Sequence, residues 1–217
     1  MKRMVDLSHA IGPATPVFPG DPPVDITVVE STQDPPLSER RRLNCSRIGL
    51  IVHVGTHMDA PFHFFEAGET IDRVPLDRCV GPAVLVDLRH LRAGEEIGRE
   101  HLQTHAKQLT ETGKAVLHTG WSKHWGKEEY FSEHPRISAE GAQFLIDCGV
   151  HLIGVDTPSV DRPPFPAHLA LLGSGILIVE NLTNLAAIED EVFQLHVLPL
   201  KIAGRDGSPV RAIATEL

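Results

Sequence analysis

The chain has 217 residues, 41% of them hydrophobic and 23% charged. That is long enough to bury a full core without disulfide or metal staples, so one domain over 1–217 is expected and any metal is sought for its chemistry first. Twenty Lys and Arg against 29 Asp and Glu leave a formal charge of −9, which argues against nucleic acid or an anionic membrane surface as partner, and no apolar run approaches a membrane span.

Met1-Lys2-Arg3-Met4-Val5-Asp6 has no apolar segment of the signal-peptide kind. Residues 12–36 carry Pro13, Pro16, Pro19, Pro22, Pro23, Pro35 and Pro36 and cannot be helical. Val17, Phe18 and the run 24–29 give this stretch groups to dock, so an extended, ordered N-terminal arm leading into a strand is expected. Strands are expected over Ile48–Val54, Ala83–Leu88, Ala115–His118, His151–Val155, Gly175–Glu180, Leu195–Ile202 and Val210–Ala214. Helices are expected over Arg99–Leu109, over Ser138–Cys148 with Ser138 as N-cap and Gly149 as stop, and over Pro166–Leu172 before Gly173. Interleaved strands and helices predict an α/β architecture. Cys45, Cys79 and Cys148 are scattered, which fits a reducing cytoplasm and excludes a cysteine-based zinc cluster.

Thirteen histidines in one chain is the unusual feature. His53, His57, Asp59 and His63 fall within eleven positions, and an H-x-x-x-H-x-D match should arise only about 0.05 times per chain by chance. Gly55, Thr56 and Pro61 oppose a helix there. A straight strand would hold His53 and His57 about 13 Å apart, too far to share one ion, so the chain must curl, and Gly55 supplies the freedom. Two imidazoles and a carboxylate form an open, catalytic type of ligand set, with His63 just downstream as base or further ligand.

The string His53-x-Gly55-Thr56-His57-x-Asp59-x-Pro61-x-His63-Phe64 resembles the signature of the cyclase family of metal-dependent hydrolases, which includes bacterial kynurenine formamidase and isatin hydrolase. Val5–Ser8, Thr15–Asp21, His118–Trp121, Gly154–Asp161, Ala167–Leu172, Glu180 and Asp206–Ala212 resemble further segments of that family, so the likeness spans nearly the whole chain. It implies a swivelling β/β/α fold with a mixed central sheet. It implies His53, His57 and Asp59 as ligands of a first metal, His63 as acid/base, and His168 and Glu180 as ligands of a second metal bridged by Asp59. Zn2+ is the metal implied, up to two per subunit, with Mn2+ as the alternative. Phe18 and Trp121 are the expected substrate contacts. The expected activity is hydrolysis of a small non-peptide amide in the cytoplasm by a homo-oligomer, dimer or tetramer, with arylformamidase action on N-formylkynurenine as the specific reading. Phe18 replaces the Trp usual in kynurenine formamidases, which leaves open a ring-opening hydrolase of a cyclic amide or lactone.

Taken alone, His168 could be a capping or surface histidine, and Glu180 could face solvent, since a bare buried carboxylate is costly. Phe62, Phe64 and Phe65 suit core or pocket equally, and Asp156 and Asp161 suit turn capping around Pro158. His101, His105, His124 and His134 lie in polar segments and read as surface groups. A binding protein that had lost catalysis would be expected to show a broken ligand set, and this one is complete.

Overall fold

A computed structural model of the chain describes residues 3–32 and 43–217. The strands are β1 Met4–Asp6, β2 Asp25–Glu30, β3 Cys45–Gly49, β4 His57–Asp59, β5 Val80–Asp87, β6 Glu96–Ile97, β7 Lys114–His118, β8 Arg136–Ile137, β9 Leu152–Val155, β10 Leu177–Glu180, β11 Val192–Pro199 and β12 Gly207–Thr215. The helices are α1 Leu76–Cys79, α2 Arg99–Leu102, α3 Ala106–Thr112, α4 Ala139–Asp147 and α5 Pro166–Gly173.

The central sheet runs β1-β12-β11-β5-β7-β9-β10-β4, and β4 also pairs with β12, closing the mixed sheet into a barrel. The β5, β7, β9 and β10 ladder is parallel, and the joints that close the ring are antiparallel. Alternation along the strands separates two apolar layers. Ala115, Leu117, Ile153, Val155 and Ile178 join the layer with the helix residues Leu109, Leu145 and Leu171. Val116, Leu152, Leu177 and Val179 face the other way, with Met58, Phe193 and Leu195.

Local signals set the helix ends. Ser138 Oγ accepts the Gly141 N–H at 3.0 Å to cap α4. Gly113, at φ 64°, turns α3 into β7. The expected helix Arg99–Leu109 is divided between α2 and α3 by a 3-10 turn at Gln103–His105, where Thr104 and His105 are weak helix formers. The expected strand Ile48–Val54 is also corrected. Pairing of β2 with β3 ends at Gly49, and 50–56 runs irregularly into β4.

The proline-rich stretch is described through residue 32 as turns and then β2, and its residues 33–36 lie outside the described residues. His134 is not a surface group: it is 1% exposed, and burial lowers its pKa to about 4. No helix among the described residues is long and apolar enough to cross a membrane.

Candidate metal centre and cleft

Gly55, at φ 63°, makes the curl that the sequence demands. It returns His53 to the side of β4, where His57 and Asp59, two apart, share one face. His53 Nδ1 lies 2.6 Å from Asp59 Oδ1, and His57 Nε2 lies 3.3 Å from the same oxygen. Register sets Glu180, the last residue of β10, opposite His57, with Oε2 at 3.4 Å from His57 Nε2. From α5, His168 Nε2 reaches Glu180 Oε1 at 3.5 Å and Asp59 Oδ2 at 3.9 Å.

Asp59 therefore stands between two donor sets. His53, His57 and Asp59 present donor atoms within 4.8 Å of one another, and so do Asp59, His168 and Glu180. These residues fit divalent cations on three observations. Asp59 Oδ2 is buried without any hydrogen-bond partner, which is costly for a carboxylate oxygen. Asp59 and Glu180, 1% and 5% exposed, bring two carboxylates into one buried spot, an arrangement that calls for positive charge. Each imidazole is held at its far nitrogen: His53 Nε2 by Asp206 Oδ2 at 2.6 Å, His57 Nδ1 by the Gly55 carbonyl at 2.9 Å, His168 Nδ1 by Asp161 Oδ1 at 2.6 Å. That is the outer support that metal-binding histidines ordinarily have.

Without a cation the charges are balanced by protons. Burial opposes charge on His57, but Asp59 and Glu180 hold its pKa up at about 10. Burial likewise opposes charge on His168, but Asp161 and Glu180 hold its pKa up at about 10. Burial works against ionisation of Asp59, yet His53 and His57 keep its pKa well below the usual carboxylate range. His63 differs. It ends the short 3-10 turn Pro61–His63, and its side chain is 30% exposed. Burial depresses its pKa, Asp59 opposes, and His53 and His168 add to the depression, so the ring is neutral near pH 7.

Asn181 ties the loop together from behind. Its Nδ2 donates to the Gly55 carbonyl at 2.9 Å, its Oδ1 accepts from the Tyr130 hydroxyl at 2.7 Å, and its carbonyl accepts from Thr56 Oγ1 at 2.7 Å. It adopts φ 59°, a conformation that asparagine tolerates.

These groups floor a cleft of about 690 Å³, within the usual range for small-molecule sites. Phe18, Phe64, Phe131 and Phe165 contribute to its wall. Phe18 is 47% exposed and meets Phe131 edge-on at 5.7 Å. Phe64 and Phe65 both pack against the helix-side core; Phe64 also stacks on His168 at 4.8 Å and lines the cleft, and Phe65 lies against Gly173. Trp121 is the departure from expectation. It is 6% exposed, donates its indole N–H to the Tyr130 carbonyl at 2.9 Å and stacks on His124, so it does not reach the cleft.

Asp156 and Asp161 do cap, but not the turn around Pro158. Asp156 accepts Thr119 N–H, Thr119 O–H and Gly120 N–H, and Asp161 accepts the first N–H groups of α5. Sequence reading missed the second task of Asp161, the grip on His168. It also missed Asp206, Asn181, Phe131 and Phe165. Asp161 lies outside the N-cap position of α5, which Phe165 occupies, so no local spacing rule marks it. No local pattern marks Phe131.

The family model described as "Putative cyclase" matches residues 5–162. A kynurenine formamidase of Bacillus cereus is 35% identical over 212 residues, covering 96% of this chain and 95% of its own. The kynurenine formamidase of Salinibacter ruber is 35% identical over 216 residues, covering 97% and 96%. Among solved structures, isatin hydrolase A from Labrenzia aggregata, bound to benzyl benzoate, superposes with a TM-score of 0.85 at 25% identity, covering 99% of this chain and 94% of that one.

Proposed function

The chain belongs to the cyclase family, and from that premise we propose that it is a metal-dependent hydrolase of a small non-peptide amide, an arylformamidase converting N-formylkynurenine to kynurenine and formate. The observation that carries the reading is the position of Asp59, one oxygen toward His53 and His57 and the other toward His168, at the floor of an aromatic cleft open to His63. His53, His57 and Asp59 would hold one divalent cation, and Asp59, His168 and Glu180 would hold a second, with Zn2+ as the metal and Mn2+ as the alternative for such donors. Bound there, the metal supplies Lewis acidity, polarising the amide carbonyl and making water more acidic.

The protein's own groups do the rest. His63, neutral and within the cleft, takes the proton from the attacking water and returns it to the leaving aryl nitrogen. Phe18, Phe131 and Phe64 hold a flat ring by edge and face contacts. Asp161 and the Gly55 carbonyl, backed by Asn181, keep His168 and His57 turned toward Asp59. Trp121, buried behind the cleft, supports its wall at Tyr130.

A panel of N-formylkynurenine, simple aryl formamides, isatin, hydantoin-like rings and lactones tests this reading. Turnover of the formamides ahead of the rings is expected. Turnover of the rings alone would replace it with the second reading, a ring-opening hydrolase, which Phe18 and the isatin hydrolase likeness favour. A binding protein without catalysis is disfavoured by the assembled donor sets.

The chain acts in the cytoplasm as a homo-oligomer, a dimer or tetramer. The three cysteines are free, as a reducing compartment keeps them. The β2/β3 ribbon leaves Val28, Val29 and Ile48 at 66%, 58% and 59% exposure, a lone two-stranded unit that gains stability by burial against a second copy. Light scattering coupled to gel filtration checks the assembly, and a monomer at micromolar concentration would refute it.

A further inference from the structure

We propose that Asp206 is a positioning residue whose single carboxylate holds the metal-ligand candidate His53 and the acid/base candidate His63 as one stacked array. The inference rests on the roles given to those two histidines above. Asp206 Oδ2 lies 2.6 Å from His53 Nε2 and 3.8 Å from His63 Nδ1. The two rings stack with centroids 3.9 Å apart and planes 30° from parallel. One oxygen thus faces both rings from the same side.

The backbone is shaped for this. The carbonyl of Asp206 accepts the Ala60 N–H at 2.9 Å, and Gly207 pairs with Asp59, so Asp206 is fastened to the strand that carries the ligands. A Cβ on Gly207 would lie 2.7 Å from His53 Cε1 and 2.8 Å from the Met58 carbonyl. The His53 ring therefore rests on the Gly207 backbone, and only glycine leaves room for it. Asp206 lines the cleft with its side chain 34% exposed, so it can bond the rings without the burial cost of a core carboxylate.

Its action is indirect. By accepting from His53 Nε2, Asp206 leaves Nδ1 turned toward Asp59. By facing His63 Nδ1, it leaves the other nitrogen of that ring for the substrate. At 3.8 Å the second contact is long, as such contacts often are before substrate closes the site.

The test uses Asp206→Asn and Asp206→Ala in the full chain. Neither removes the Asp206 carbonyl contact, and unfolding midpoints report any structural loss. Three quantities are read: zinc affinity by competition with a chromophoric chelator, 15N imidazole shifts of the chelator-treated protein, and kcat and KM at saturating zinc. The expected results are a loss of about 10–100-fold in affinity at the first metal position, altered shifts for both His53 and His63, and kcat lowered about 10–100-fold with KM little changed. Gly207→Ala should reproduce the affinity loss from the other side of the ring. Unchanged His63 shifts together with wild-type kcat at saturating zinc would overturn the proposal. So would loss of a whole zinc equivalent rather than of affinity, because His53, His63 and Asp206 also bring donors within 4.8 Å and would then be a cation site themselves. If the wild-type protein hydrolyses no formamide, the function reading fails, while zinc affinity and the imidazole spectra still decide the role of Asp206.

Discussion

Replacing Asp161 with asparagine changes no volume but removes one acceptor where three bonds are received. Asp161 is 3% exposed. Its Oδ2 accepts from Ala167 N at 2.6 Å and His168 N at 3.1 Å, and its Oδ1 from His168 Nδ1 at 2.6 Å. If the asparagine oxygen keeps the two backbone N–H groups, its NH2 must face His168 Nδ1. The imidazole proton then moves to Nε2, the nitrogen facing Asp59 and Glu180, and that nitrogen can no longer bind a cation. If the oxygen keeps His168, two buried N–H groups lose their acceptor at about 1–3 kcal/mol each. The first outcome should cost about 10–100-fold in affinity at the second metal position. Either should lower the midpoint of thermal unfolding by about 2–4 °C per kcal/mol lost. Zinc titration with a competing chelator reads both positions, and the His53, His57 and Asp59 set serves as internal control. Two zinc ions bound by Asp161→Asn with wild-type affinity would refute the argument that Asp161 orients His168.

His63→Ala should keep its bound metal but lose about 10²–10⁴ in turnover; elemental analysis showing lost metal would make His63 a ligand instead. Phe18→Trp should raise turnover of N-formylkynurenine, because a larger aromatic face at the rim adds stacking area and an N–H; equal kcat/KM for both proteins would remove position 18 from specificity. His9 stacks on Trp125 at 3.8 Å with Nε2 buried and unpartnered, and burial lowers its pKa to about 4. Above pH 6.5 the ring is neutral in both states. Below it the unfolded chain gains a proton that the folded one refuses, so stability falls as pH drops from about 6.5 toward 4, by about 1–2 kcal/mol after discounting for partial exposure. Denaturant titrations of His9→Gln should show a flatter acid limb, and an unchanged limb would contradict this.

The first donor set was legible because four chemistry-bearing residues fall between positions 53 and 63, and the demand for a curl at Gly55 follows from strand geometry alone. His168 and Glu180 emerged only through resemblance to a family, since neither differs locally from a capping histidine or a strand-end carboxylate. The alternation that divides Leu152 from Ile153 and Val116 from Leu117 between two layers is likewise readable in outline, whereas closure of the ring through β4 and β12 is not. The run Ile48–Val54 has strand composition, yet the geometry that His53 requires overrides it past Gly49. Asp206 and His53 meet across 153 positions, a distance at which no local pattern reports a pair. Trp121 shows the limit of a motif: it marks a segment near the site without saying which way the ring turns.

Hydrolysis of N-formylkynurenine by protein stripped with a strong chelator, and then given zinc in measured equivalents, tests the central claim most directly. Negligible turnover is expected from the stripped protein, with a rise on added zinc that saturates at no more than two equivalents per chain, the number of donor sets that share Asp59. Full turnover by protein verified to be metal-free would contradict it.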